Sequence, residues 1–109
     1  MVSRVKVKMN MCGKEHIIIV DTIGKNNFSL EVESDCPNVR SFIKGMNRIT
    51  MDDLVAKYTS RIFDRMRNSQ MSATCLVPHG ILSAGWMEAG LWSKNLAIRQ
   101  ERNTIEFEE

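Results

Sequence analysis

The hydropathy period of the chain changes near residue 36, and that change most constrains the fold. Before it, apolar residues recur at every second position. Val5, Val7, Met9 and Met11 alternate with Lys6, Lys8 and Asn10, and Phe28, Leu30 and Val32 alternate with Ser29, Glu31 and Glu33. Such alternation places one set of side chains on a core face and the other in water. Between these segments, His16 to Thr22 is a β-branched run of strand length. Cys12-Gly13 and Gly24-Lys25-Asn26-Asn27 supply the turns, since Gly and Asn accept positive φ. Three strands joined this tightly form an antiparallel meander.

After Pro37 the spacing becomes helical. Val39, Phe42, Ile43 and Met46 form one stripe behind a proline suited to a first helical turn. Thr50 and Asp53 resemble a capping box with Asp in place of Glu, and predict a helix over 51–67 burying Leu54, Val55, Tyr58, Ile62 and Met66. A third helix is predicted from Pro78 to Glu88 or Ala89, closed by Gly90. The alternating tail 103–108 can return as a further strand. Strands first and helices afterwards predict an α+β fold. Its antiparallel three-stranded meander, extendable by a C-terminal strand, carries its helices on one face.

At 109 residues the chain is expected to be a single domain, 1–109, able to bury a core without disulfides. Its longest uninterrupted apolar run, Ile17 to Val20, is far too short to span a membrane. The alternating start lacks the apolar core of a secretory signal, which predicts a cytoplasmic protein with reduced thiols. Fifteen basic residues against thirteen acidic ones leave a formal charge of +2, too little to point to nucleic acid. The basic spacing Lys57, Arg61, Arg65 reads as a solvated helix face. No Gly-x-Ser-x-Gly elbow and no glycine-rich phosphate loop occurs, so no catalytic motif is recognised. The eight methionines read as adaptable core filler.

The chemistry resides in three cysteines. Cys12 precedes Gly13, Cys36 precedes Pro37, and Cys75 stands three residues before Pro78. All three fall at element ends, where helix dipoles and backbone donors favour a thiolate, the form that attacks or binds metal. In a meander, the ends of strands one and three lie at one end of the sheet, so Cys12 and Cys36 are expected there together. With Cys75 alongside, they would make an open three-thiolate site. His79, four residues after Cys75, would share its helix face as a fourth ligand. His16 follows Cys12 by the same interval, but in a strand that is a separation of about 13 Å, which makes it a poor co-ligand.

This cysteine pattern resembles the U-type iron–sulfur cluster scaffold family (NifU N-terminal and IscU-like). There a meander carries a Cys-Gly at an early strand end, a second cysteine at a helix start, and a third before a later helix. Cys12-Gly13, Cys36 and Cys75 take these positions. The resemblance implies an iron–sulfur cluster or zinc held by Cys12, Cys36, Cys75 and His79, and a protein partner for its transfer. The chain departs from the family at Lys14, where an Asp assists cluster release, and at Thr74, where a His precedes the third cysteine. It also lacks the chaperone-binding loop. The segments Glu33-Ser34-Asp35-Cys36 and Cys75-Leu76-Val77-Pro78 further resemble small proteins of methanogenic archaea. Three readings follow: a metal- or cluster-binding accessory protein, a thiol-redox protein with Cys36 as nucleophile, or an interaction module with core cysteines. A homodimer is compatible with each, whereas nucleic acid and membrane are not expected partners.

Overall fold

The computed structural model describes residues 2–109. Strands β1 (Val2–Met9), β2 (Lys14–Gly24) and β3 (Asn27–Glu33) form the expected antiparallel meander. A short fourth strand, β4 (Arg48–Thr50), adds to β3, giving the order β1-β2-β3-β4. Sequence reasoning missed β4 because three residues are too few to show alternation. Its placement rests on main-chain pairing and on Ile49, fully buried opposite Phe28.

The register makes one face of the sheet apolar. Val5 pairs with Ile18 and Ile18 with Val32, while Ser3 pairs with Val20 and Val20 with Leu30. A one-residue slip would turn this whole set to water, so burial of Ile18, Val20, Phe28 and Leu30 fixes the pairing. The opposite face stays uncovered, with Arg4, Lys6 and Lys8 on β1 and Glu31 and Glu33 on β3 exposed. The hairpin turn uses Asn26 at φ 58°.

Five helices follow: α1 (Pro37–Ile43), α2 (Met51–Val55), α3 (Arg61–Arg67), α4 (Val77–Glu88) and α5 (Lys94–Gln100). The fold is α+β, with the helices packed on the apolar side of the sheet. Helix α4 lies directly on β1 and β2. It contains Gly80 and Gly85, each of which costs about 1 kcal/mol of helix propensity relative to Ala. The return is close approach: a Cβ at Gly80 would overlap Val7 and Ile18, and one at Gly85 would overlap Leu54. Burial of Val77, Ile81 and Ala84, at about 1.5–3 kcal/mol for a Val or Ile side chain, outweighs the propensity loss. At its far end the Glu88 carboxylate accepts hydrogen bonds from Ser3 Oγ (2.9 Å), Thr22 N (3.1 Å) and Thr22 Oγ1 (2.9 Å). These bonds fasten the helix to the end of the sheet where β1 begins.

Several expectations are corrected here. The helix expected over 51–67 is two helices, because side chains cap the backbone in mid-segment. Thr50 and Asp53 form a complete capping box at α2, and Ser60 Oγ caps α3 by accepting from the amides of Ile62 and Phe63. Ser60 also donates to the Asp53 carbonyl (2.6 Å), which closes the intervening turn. Tyr58 and Val55, expected in the core, are therefore exposed, Tyr58 almost completely at 98%. The basic helix face dissolves for the same reason. Arg61 instead pairs with the buried Asp53 (2.9 Å), and Arg65 donates to the carbonyls of Phe42 and Lys44 at the end of α1. Strand β1 stops at Met9, so Met11 lies in the turn and is 82% exposed. The tail 103–108 pairs with no strand and is exposed throughout, and α5 was not anticipated.

Candidate functional site

The cysteine-bearing end of the sheet is built from three consecutive features of the meander. Cys12 sits in the β1–β2 turn, where Gly13 at φ +71° returns its amide to the Met9 carbonyl (2.8 Å). The Cys12 thiol is exposed and lies 3.8 Å from that same carbonyl. Strand β3 ends at Glu33, opposite Ile17, so the chain leaves the sheet beside the start of β2. Ser34, Asp35 and Cys36 then lead into α1, with Cys36 as its N-cap in extended conformation. Cys36 is half-buried and packs against the core, and its side chain makes no capping hydrogen bond.

Two links tie these segments together. Lys14, two residues after Cys12, forms an ion pair with Asp35, the neighbour of Cys36 (3.5 Å). Below it, His16 is 1% exposed, and its Nδ1 lies 2.8 Å from Ser34 Oγ. The same Ser34 oxygen accepts the Cys36 amide (3.0 Å), which leaves the hydroxyl proton free to donate to a neutral imidazole. Burial pushes the His16 imidazole below its ordinary pKa of 6.5; Asp35 pulls the other way, and Lys14 adds to the lowering. Arg40 Nε closes the segment by donating to the Ser34 carbonyl (2.7 Å). His16 is thus a buried connector between β2 and the Cys36 segment. Its position in a β-branched run was the signal for burial, but nothing in the sequence indicated Ser34 as its partner.

Cys75 stands just ahead of α4. That helix is anchored through Glu88 where β1 begins, and it passes Val7 and Ile18 at Gly80. Its first turn therefore points toward the end of the sheet that carries Cys12 and Cys36. Cys75 is half-buried two residues ahead of the helix, in a turn closed by its amide on the Ser72 carbonyl (3.0 Å). Because Cys75 is not helical, the helix face it was expected to share with His79 does not form. His79 is exposed and lines a shallow groove with Leu54, Phe63, Leu82, Trp86 and Trp92. The two indoles meet edge to face at 6.2 Å, and Trp86 Nε1 donates to the Leu54 carbonyl (2.8 Å).

All three thiols are free. Among the described residues, however, no group of three or more His, Cys, Asp or Glu side chains is arranged to hold a metal ion. The donor types suit zinc or an iron–sulfur cluster, but their arrangement does not make a ready cradle for either.

One comparison identifies relatives: a profile of a family of unknown function matches residues 3–100. The chain belongs to this family, DUF6951. The match begins one residue into β1, takes in every later strand and helix, and ends where α5 ends. No curated protein and no solved structure matches the chain. The likeness to U-type scaffolds accordingly rests on cysteine spacing alone. No helix among the described residues is long and apolar enough to cross a membrane.

Proposed function

We propose that the protein is a thiol-redox protein in which Cys36 is the reacting group and Cys12 its resolving partner. What supports this reading is the pair of links between their two segments, Lys14 to Asp35 and His16 through Ser34 to the Cys36 amide. The segment that follows an exposed thiol is thereby tied to the one that leads into a half-buried thiol on a fixed backbone. In the chemistry proposed, the Cys36 thiolate attacks one oxygen of a hydroperoxide and the O–O bond breaks. Cys36 becomes a sulfenic acid, and the other oxygen leaves as water or alcohol. The Cys12 thiolate then attacks the Cys36 sulfur, forming a disulfide and releasing a second water.

Peptide mapping after treatment with one equivalent of hydrogen peroxide tests this reading. A Cys12–Cys36 linked peptide that dithiothreitol reverses is expected, and Cys36→Ser should abolish it. Oxidation of Cys12 alone, the more accessible thiol, would refute it. A second reading is uptake of zinc or an iron–sulfur cluster by Cys12, Cys36 and Cys75, supported by their donor type and by all three being free thiols. It requires the Cys12 and Cys75 turns to move, because the present arrangement is not a cradle. Anaerobic zinc titration, with stoichiometry lost in each Cys→Ser variant, distinguishes the two.

A further inference from the structure

The last residues of the chain, 103–109, carry the period-two pattern of a strand without a strand to pair with. Ile105 and Phe107 are 72% and 82% exposed, and they alternate with Glu106 and Glu108. The tail passes beside Asn10 and Met11, near the end of β1, yet remains unpaired with its own sheet. Strand β1 is meanwhile an outer strand of that sheet, eight residues long, with β2 on one side only. Half of its backbone groups point outward, the arrangement that accepts an added strand.

The two patterns match in length, polarity and charge. Seven extended residues span about 23 Å, against about 26 Å for the eight of β1. Glu106 and Glu108 face one side of the tail, and Arg4, Lys6 and Lys8 face the uncovered side of β1. Ile105 and Phe107 would then continue the core face beyond Val5, Val7 and Met9. The core face of β1 is unevenly covered: Ser3 and Val7 are buried, whereas Val5 and Met9 are only half-buried. Helix α5 leaves Leu96 and Ile98 exposed, at 46% and 63%, although Lys94 Nζ already holds its first turn to the Val2 carbonyl.

We infer that residues 103–109 of one copy add as a fifth strand along β1 of a second copy, and that the exchange is reciprocal. The occupant is a second copy because the tail carries both the charge complement and the apolar period of this edge, while its own β1 leaves it free. Backbone hydrogen bonds supply affinity, and the Glu–Lys pairs set the register.

Sedimentation velocity of the full chain from 1 to 200 µM tests the inference. A dimer is expected, and deletion of 103–109 should raise its dissociation constant at least tenfold. The pair Lys6→Glu and Lys8→Glu, both exposed, should weaken it similarly. Adding Glu106→Lys and Glu108→Lys to that variant should restore the dimer. Circular dichroism confirms that each variant remains folded. A monomer across the whole range would overturn the inference, whether the tail is free or paired with its own β1. So would a dimer indifferent to the deletion, or a charge reversal that the second reversal fails to rescue.

Discussion

Gly80→Ala sets two opposing effects against each other, and the structure decides which prevails. In an exposed helix the change gains about 1 kcal/mol of propensity. Here the new Cβ would lie 2.7 Å from Ile18 Cδ1, closer still to Val7 Cγ2, and 3.8 Å from Val5 Cγ1. The Ile18 terminus can swing aside at small cost. Val7 cannot, because its χ1 is stiff and its backbone is locked by pairing with His16. Overpacking of this kind costs about 1–3 kcal/mol. With the propensity gain deducted, the net loss is up to about 2 kcal/mol, or up to roughly 8 °C in melting temperature for a chain of this size. Urea unfolding followed by circular dichroism reads it as a lower midpoint at unchanged slope. Val7→Ala removes the obstructing methyls, so Gly80→Ala made in that background should recover at least half of its cost. A coupling of about 1 kcal/mol is the signature of two residues in contact. If Gly80→Ala stabilises the wild-type chain, or if the two changes simply add, then α4 does not lie on β1 as described.

Two further outcomes concern the cysteine end of the sheet. The folded protein holds His16 below its ordinary pKa of 6.5 through burial, so the unfolded chain takes up this proton first as pH falls. The stabilisation is fully present above pH 6.5 and is lost below it, down to the folded pKa. The urea midpoint should therefore fall on acidification below pH 6.5. This decline should vanish in His16→Gln; its persistence there would assign it to another group. The buried Asp53 does not interfere in that window, because its own loss begins only below its ordinary 3.8. Burial opposes its charge, but hydrogen bonds from Arg61 and Thr50 outweigh burial and hold its pKa lower still. Ser34→Ala leaves buried His16 Nδ1 without its partner and frees the Cys36 amide, a loss of about 1–3 kcal/mol in urea unfolding. A loss below about 0.5 kcal/mol would show that the linkage contributes no stability.

Local pattern was enough to derive the meander, its turns, the start of α1 and the span of α4. Those features depend on alternation, on glycine and asparagine at positive φ, and on proline at a first turn, all of which act within a few residues. The same local rules led the β1–β2 turn segment and the chain leaving β3 to be expected as neighbours, because an antiparallel meander dictates which strand ends adjoin, and Lys14 meets Asp35 there. What local pattern could not supply was anything that depends on a partner distant in sequence. Strand β4 exists because Ile49 reaches Phe28 across the sheet, and α2 and α3 separate because Ser60 finds the Asp53 carbonyl. Tyr58 fits an apolar stripe in sequence but is expelled to solvent by that turn. His79 and Cys75 are four residues apart, yet the helix begins between them and sends the imidazole into a different groove. The buried role of His16 needed Ser34, eighteen residues away, and the docking of α4 needed Glu88 to reach Ser3, eighty-five residues away. Sequence period determines which face of an element is apolar. Only tertiary packing decides which polar groups that face carries into the interior and which partners satisfy them there.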